Sequence, residues 1–491
     1  MFKHIDLTGL KTTPMLGAPL IASQDGAIAA LNLGNPLVAA GMRHSQGGHT
    51  AVENGYMLVM ETMKKVGGPY EDKRAPGGHS IEVEAGATWS DVHRVVCSYG
   101  LAPIVQQSSA HFTIGGSISV NCHGRDVRWG TVAETVSWME ILLPNGKVVE
   151  TTPGEKLFRA AIGGYGACGL ILRARIMLDR NWVMGREIHQ TSSSNGYAKI
   201  LKQIDTNKFK LKDGTDGSGK PAPKTLHMHH GWVNVFEKEN YLKEVLPHYS
   251  FVDRGSSVTG SPEHTNGRTL PPSELKTEGW GTSEIMRAAW EAAKIDPAFA
   301  KEIWDELKKP PETPVTQNNT RLDYLREDIL FTSSMTNGSR ADLLQESFVP
   351  IDQFESFMAS LAREIPFRGG DVHLLSCTTR LVRKPNQPGQ APFLSYCRDD
   401  KSVVSIAIEA SVQVEGETAT GYLPTPSAST KFKKAIDSAI AHGGTYYLPY
   451  HQFADSYQLK RCYPALQSFL AEADEYNLNK LFDNEFLKGI R

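Results

Sequence analysis

Polar and apolar residues alternate over SIEVEA (Ser80–Ala85), the period of a strand with one face buried. Thr88-Trp89-Ser90-Asp91 follows, a capping-box pattern that opens a helix running to Gly100. Beyond it IGGSISVN reads as a strand opened by paired glycines. VSWMEILLPNGKVVE reads as a hairpin with Asn145-Gly146 as a type I′ turn, LFRAAI as a helix and LILRARIML as a strand. From about Asn181 to Gly443 the texture changes. Stretches rich in Gly, Ser, Lys and Pro near 213–223 and 255–272 read as loops, and the stretch from Ser273 to Lys309 reads as helical with breaks near Gly279 and Pro297. LLQESFVP, DVHLLSCTTRLV and VVSIAIEASVQV read as strands and FESFMASLAREI as a helix among them, a mixture that predicts an α+β unit. In the tail, YYLPYHQ is extended, DSYQLKRCY and PALQSFLAEADEY are helical with Pro464 at a helix start, and NEFL lies close to the end.

With 491 residues, two domains are the natural expectation. A net charge of -2 and the lack of a long basic block argue against nucleic acid as a partner. No apolar stretch approaches the roughly 20 residues of a membrane-spanning helix. MFKHIDLTGLKTTP has no apolar core of a secretory signal, and the six cysteines form no CxxC pair; a reducing compartment, the cytoplasm, is the expected location. No internal repeat is present, and nothing in the chain fixes an oligomeric state.

Gly164-Tyr165-Gly166-Ala167-Cys168-Gly169 matches GxGxxG, yet a helix precedes it and a strand follows. A Rossmann dinucleotide site needs the reverse order, so this reading is set aside. PLVAAGMRHSQGGHT runs from a strand into a loop whose small residues let backbone N–H groups converge on an anion. TIGGSISVNCHGRD is a third glycine segment. His227 and His229 would share a strand face, but no carboxylate or cysteine stands near them in sequence, and no metal is expected.

In their order and spacing, GMRHSQGG, IVQQSSAHFTIGGSISVNCHGRD and GGYGACGLIL resemble the FAD-binding domain of the vanillyl-alcohol-oxidase (PCMH-type) superfamily. The tail YYLPYHQFADSYQLKRCYPALQSFLAEADEYNLNKLFDNEF resembles the end of its branch of aldonolactone, alditol and decaprenylphosphoryl-ribose oxidases. The resemblance spans about 20–180 and 340–491. It implies an α+β fold: a PCMH-type FAD-binding domain of two α/β subdomains at 1–180, a cap (substrate) domain with an antiparallel sheet at 181–443 carrying a helical insert at about 255–330, and a segment at 444–491 that returns to the FAD domain. It assigns the FAD pyrophosphate to Gly41, Met42, Arg43, His44, Ser45 and Gln46. Where the family reads G-x-G-H-S, Arg43 replaces the second glycine, and His44 sits where a histidine is bonded to the flavin 8α-methyl. His111 stands where a second, cysteinyl link occurs in some relatives, so a double link is not expected. Gln106, Ser108, Ser109, Thr113, Gly115, Gly116 and Ser119 are assigned to the diphosphate and ring edge, Cys122 and His123 to the ring, and Gly166, Gly169 and Ile171 to adenine or diphosphate.

By the same resemblance, the reaction is oxidation of a CH–OH group in a sugar, lactone, polyol or other secondary alcohol by hydride transfer to flavin N5, with oxygen or another acceptor taking the electrons. The family's tail lysine is replaced by Tyr450, leaving Tyr450 and His451 to share the work of base and cation. Glu346 and Arg380 match polar pocket positions, Arg380 anchoring an oxygen-rich or acidic substrate and Glu346 orienting it. Two alternatives stay open. One is a flavin-binding module without activity, favoured by the altered lysine. The other is oxidation of a CH–NH or aromatic-ring-bearing donor, which the aromatic cap (Trp232, Phe236, Trp280, Trp290, Trp304) would suit.

Overall fold

The computed structural model describes residues 2–182, 184–215, 221–253, 296–309, 320–325, 339–368, 370–386, 388–398, 401–418 and 421–491. Much of the 255–330 stretch, including Trp280 and Trp290, lies outside them. Two layers come from the first third of the chain. One is a parallel pair, Leu37–Ala40 with Tyr56–Val59, backed by the helix Gln24–Ala30 and joined by Phe482 of the tail. The other is an antiparallel sheet in the order Tyr70–Glu71, His79–Glu84, Leu170–Arg180, Val136–Leu142, Val148–Thr151, with Leu101–Pro103 paired to one end of Leu170–Arg180. The capping box forms as the pattern predicts: Thr88 and Asp91 cap the helix Trp89–Val96, and Gly100 ends its last turn at φ 66°.

Two readings of this region are corrected. Residues Ile114–Ser119 form a short helix, capped by Thr113, and not a strand. The alternating Ile and Ser of IGGSIS imitate a strand, but docking decides: Gly115 sits so close to Ala85 that a Cβ there would be 2.8 Å from the Ala85 Cβ. The hairpin turn is not type I′, because Asn145 keeps a negative φ. Pro144 and Asn145 form the centre of a turn closed by Gly146 N–H donating to the Leu143 carbonyl, and Gly146 alone is left-handed at φ 81°. Proline's fixed φ at the first central position selects this arrangement.

The middle of the chain builds a nine-stranded antiparallel sheet. Its main path runs Gly185–Ile188, Glu244–Asp253, Lys224–Val233, Val372–Val382, Val403–Thr418, Arg340–Pro350, Thr445–Tyr446. The helices Ser194–Asp205, Phe354–Glu364 and Pro426–Ala441 cover one face, where Tyr197 donates or accepts at Thr379 (2.8 Å) and meets His229 (2.9 Å). Because side chains alternate along a strand, Arg380, its register partner Ser405, and Glu346 point the other way, toward the first two layers. His229 commits its Nε2 to Tyr197 and its Nδ1 to the His248 carbonyl. Among the described residues no group of three or more His, Cys, Asp or Glu is arranged around a metal. No described helix is long and apolar enough to cross a membrane.

Candidate active site

A cleft enclosing about 1180 Å³, part of it open to solvent, lies where the first two layers meet the tail. One wall is the loop after Leu37–Ala40, with Gly41, Met42, Arg43, His44 and Ser45. Opposite stand Thr113, Gly115, Gly116, Ser119 and Cys122. Gly166, Gly169 and Ile171 line it at one side and Tyr447, Pro449 and Tyr450 at another. The loop is tied to the tail by Gln46 N–H, which donates to the Pro449 carbonyl at 2.7 Å, and to the first residues of the chain by Gly47 N–H, which donates to Asp6 at 3.3 Å.

Small residues are required here for close approach. A Cβ on Gly41 would fall 2.1 Å from Thr113 Oγ1, displacing the hydroxyl that caps the Ile114–Ser119 helix. Gly169 has φ 154°, and a Cβ would meet the Leu142 carbonyl at 2.5 Å. Arg43, at the position the family fills with glycine, is left-handed at φ 56°. Its ion pair with Glu61 at 2.8 Å is 40% and 34% exposed and contributes at most about 1 kcal/mol. Arg43→Gly therefore leaves thermal stability within about 1 kcal/mol of wild type, strain relief offsetting the freer unfolded chain. Arg43→Val, β-branched in a left-handed position, costs about 1–3 kcal/mol in denaturant titration.

His44 stands edge-on to Phe112 at 4.7 Å, and its Nδ1 is buried with no hydrogen-bond partner. Burial outweighs an interaction with the Met42 backbone and, with smaller help from His111 and Arg43, lowers its pKa, so the ring is neutral near pH 7. Cys122 is the reverse case: burial raises its thiol to about 12 and it stays protonated.

Behind Tyr450 lies a polar cluster that joins the layers. Glu346 Oε1 is 2.8 Å from His123 Nε2, both side chains being at most 3% exposed. The same carboxylate oxygen accepts from Ser405, and Tyr450 lies beside the carboxylate. Arg380 lies beside it and donates to Ser108 at 2.5 Å. Burial pushes the Glu346 pKa up, but His123, Arg380 and Ser405 outweigh it and the net shift is downward. Tyr450 moves well above its ordinary value, through burial and then the neighbouring Glu346. An ionised carboxylate thus stands beside a phenol that forms part of the cleft wall.

Several residues marked from sequence stand elsewhere. His451 does not line the cleft; its ring packs on Phe453 at 4.6 Å near Asp6 and Lys11, and burial lowers its pKa to about 4. Successive residues of an extended tail point apart, which is why Tyr450 and His451 do not share one site. Gln46 accepts from Leu344 N–H, and Gln106 bonds His93 and the Leu325 carbonyl. Ser109 accepts from His111 N–H, and Ser108 accepts from Arg380. Conversely Gln107, Phe112, Tyr165 and Tyr447 line the cleft and Ser405 completes the cluster without having been marked. For Ser405 a signal existed, since the alternation of VVSIAIEA puts it on one face with Ala407 and Glu409.

Residues 25–152 match the family model described as an FAD binding domain. The chain carries a PCMH-type FAD-binding domain. Outside comparison agrees in kind: a rice (Oryza sativa subsp. japonica) cytokinin dehydrogenase is 33% identical over 148 residues, 29% of this chain and 27% of the relative. The decaprenylphosphoryl-beta-D-ribose oxidase of Mycolicibacterium smegmatis is 28% identical over 176 residues, 34% and 37%. A Streptomyces alditol oxidase is 28% identical over 109 residues, 22% and 26%. The chain thus spans about a quarter to a third of the length of these curated relatives.

Proposed function

We propose that this flavoprotein oxidises a CH–OH donor, a sugar, lactone, polyol or other secondary alcohol, and passes the electrons to oxygen or another acceptor. The observation that carries the reading is the placement of Tyr450, in the cleft wall, beside the buried Glu346 that His123 and Ser405 hold. FAD, when bound, accepts hydride at its N5. The donor hydroxyl must also lose a proton to a group within hydrogen-bond reach. Tyr450 takes that proton as its own passes to Glu346, and His123 and Ser405 hold the carboxylate in place. Arg380, fixed by Ser108, supplies the cation that anchors an oxygen-rich or acidic donor. In this scheme the tasks once divided between Tyr450 and His451 fall to Tyr450 and Glu346. The similarity to cytokinin dehydrogenases supports a second reading, oxidation of a CH–NH or aromatic-ring-bearing donor by the same cluster. Residues 1–180 with 444–491 form the flavin-holding body in this reading, and 181–443 the cap.

His44 is the proposed covalent anchor, supported by its neutral ring and its buried unpartnered Nδ1. Acid precipitation should leave yellow colour in the wild-type pellet and none in the His44→Ala pellet; a colourless wild-type pellet refutes the link. A panel of alcohols that bleaches the visible flavin band anaerobically tests the reaction itself. Arg380→Met is expected to raise KM for the active donor by about tenfold or more, the loss of a charge-assisted contact. An unchanged KM would remove Arg380 from the donor site.

A further inference from the structure

The face of the nine-stranded sheet that carries Glu346, Ser405 and Arg380 continues beyond them. Glu346 is opposite Ala407, Ala407 is opposite Thr378, and Thr378 is opposite Trp232, each pair joining neighbouring strands. His230, one step along from the Gly231–Thr379 pair, comes beside Arg380 in the same way. Neighbouring strands are about 4.8 Å apart, so Trp232 stands about 14 Å from Glu346 along this row.

Exposure sets this strip apart. Ala407, Thr378, Arg380, His230 and Trp232 are all half-buried, whereas their strand neighbours on the helix-covered face, Ile406, Ile408, Cys377, Thr379, Gly231 and Val233, are buried. The strip also has an end. On the next strand Leu246 and His248, opposite Trp232 and His230, are 1% and 2% exposed. Of the cap aromatics, Phe236 and Trp304 stack on each other at 5.9 Å within the core, so Trp232 is the accessible ring among the described ones. An open floor thus runs from Glu346, beside Tyr450 of the cleft wall, to an indole three strands away.

We infer that the donor is a two-ring molecule, with the ring that carries the oxidised carbon at Tyr450 and Glu346 and a second ring packed flat on Trp232. This donor class rests on the CH–OH reading proposed above. A pyranose with its hydroxyls, built of bonds of about 1.5 Å, reaches less than half of the row, so a single sugar would leave Thr378 and Trp232 uncovered. Two linked rings cover the strip to its end. The indole offers its face to an aromatic ring or to the C–H face of a second sugar, and covering it removes apolar surface from water. Burial, with His248 and Arg125 nearby, holds the His230 ring neutral, so it keeps one donor and one acceptor for the group that joins the rings.

The test is binding to the oxidised holoprotein by calorimetry, with the visible flavin band recorded alongside. Methyl β-D-glucopyranoside carries one ring; phenyl β-D-glucopyranoside adds an aromatic ring and cellobiose a second sugar. At least one of the two-ring probes should bind about tenfold or more tighter than the methyl glucoside, and the larger gain tells an aromatic second ring from a sugar. Trp232→Ala should bring that ratio close to one. Thr378→Phe, which fills the strip between its two ends, should do the same and covers the case in which Trp232→Ala does not fold. Bleaching of the flavin reports the donor chemistry separately: a two-ring preference without bleaching counts against the CH–OH reading alone, and bleaching without the preference counts against the two-ring donor alone. Equal or absent binding of all three probes, or a preference that survives in a folded variant, overturns the assignment.

Discussion

Glu346→Gln should lower kcat/KM for the donor by about 10²–10⁴-fold while flavin content stays at the wild-type level, the range for losing general acid–base assistance. Glutamine keeps the shape and can still meet Ser405, but it cannot hold the proton that Tyr450 passes on. The pH dependence separates this role from a merely structural one. The folded-state pKa of Glu346 lies below its ordinary 4.5, so the carboxylate contributes stability above that value and loses it as pH falls through the folded pKa. Wild-type kcat/KM should then hold level down to below pH 4.5 before its acid limb appears. In Glu346→Gln the limb due to this group should be missing and the plateau low. A variant with wild-type kcat/KM, or one that keeps the acid limb, would remove Glu346 from the reaction. Glu346→Asp, whose carboxylate falls about one methylene short of His123, should recover part of the rate.

Much of the cleft was legible because backbone geometry demands particular residues. Gly41 and Gly115 have to be small where chain meets chain, and such sites show in a single sequence as glycine in an ordered set of motifs. The reversed order of helix and strand around Gly164–Gly169 was enough to exclude a Rossmann turn, and the structure has that order, with Lys156–Ala161 before and Leu170–Arg180 after. Polar positions were harder. Glu346 and His123 are 223 residues apart, and only the approach of the two layers makes them a pair. Gln106 and Gln107 are neighbours of identical chemistry, and extended backbone sends one to Leu325 and the other into the cleft. His451 stands outside the cleft lining for the same reason. The helix Ile114–Ser119 escaped because its six residues are too few to show a helical period, and tertiary contacts outweigh its strand-like composition.

Arg321→Met should be the most destabilising of the single changes considered, costing about 3–5 kcal/mol, the range for breaking a buried ion pair. Arg321 opens the short helix Arg321–Leu325 and is fully buried. Its guanidinium pairs with Asp126 at 2.9 Å and donates to the carbonyls of Pro103 (3.0 Å) and Ile104 (2.6 Å). Methionine fills similar volume but leaves all three acceptors short of a donor. Around this contact the segment is held at both ends: Trp182 accepts from Arg321 N–H and Asn181 from Leu322 N–H, while the Tyr324 and Leu325 carbonyls accept from Arg125 and Gln106. The site is thus a buried lock between the middle of the chain and the FAD domain. Arg128, which bonds both Asp126 and Asp179 at 2.6 Å, remains as a second cation, so the Arg321 and Asp126 changes should not add. Denaturant titration of Arg321→Met, Asp126→Asn and the double variant should show the pair costing clearly less than the sum of its parts. Asp126 and Asp179 both titrate below their ordinary 3.8, chiefly because the arginines outweigh burial. Their stabilisation is complete above that value and fades as pH falls through the folded pKa, so the wild-type advantage over Arg321→Met should shrink in acid. Being buried, the lock should respond little to added salt. Additive costs, or a difference that salt abolishes, would show Arg321 to be an ordinary surface-type contact.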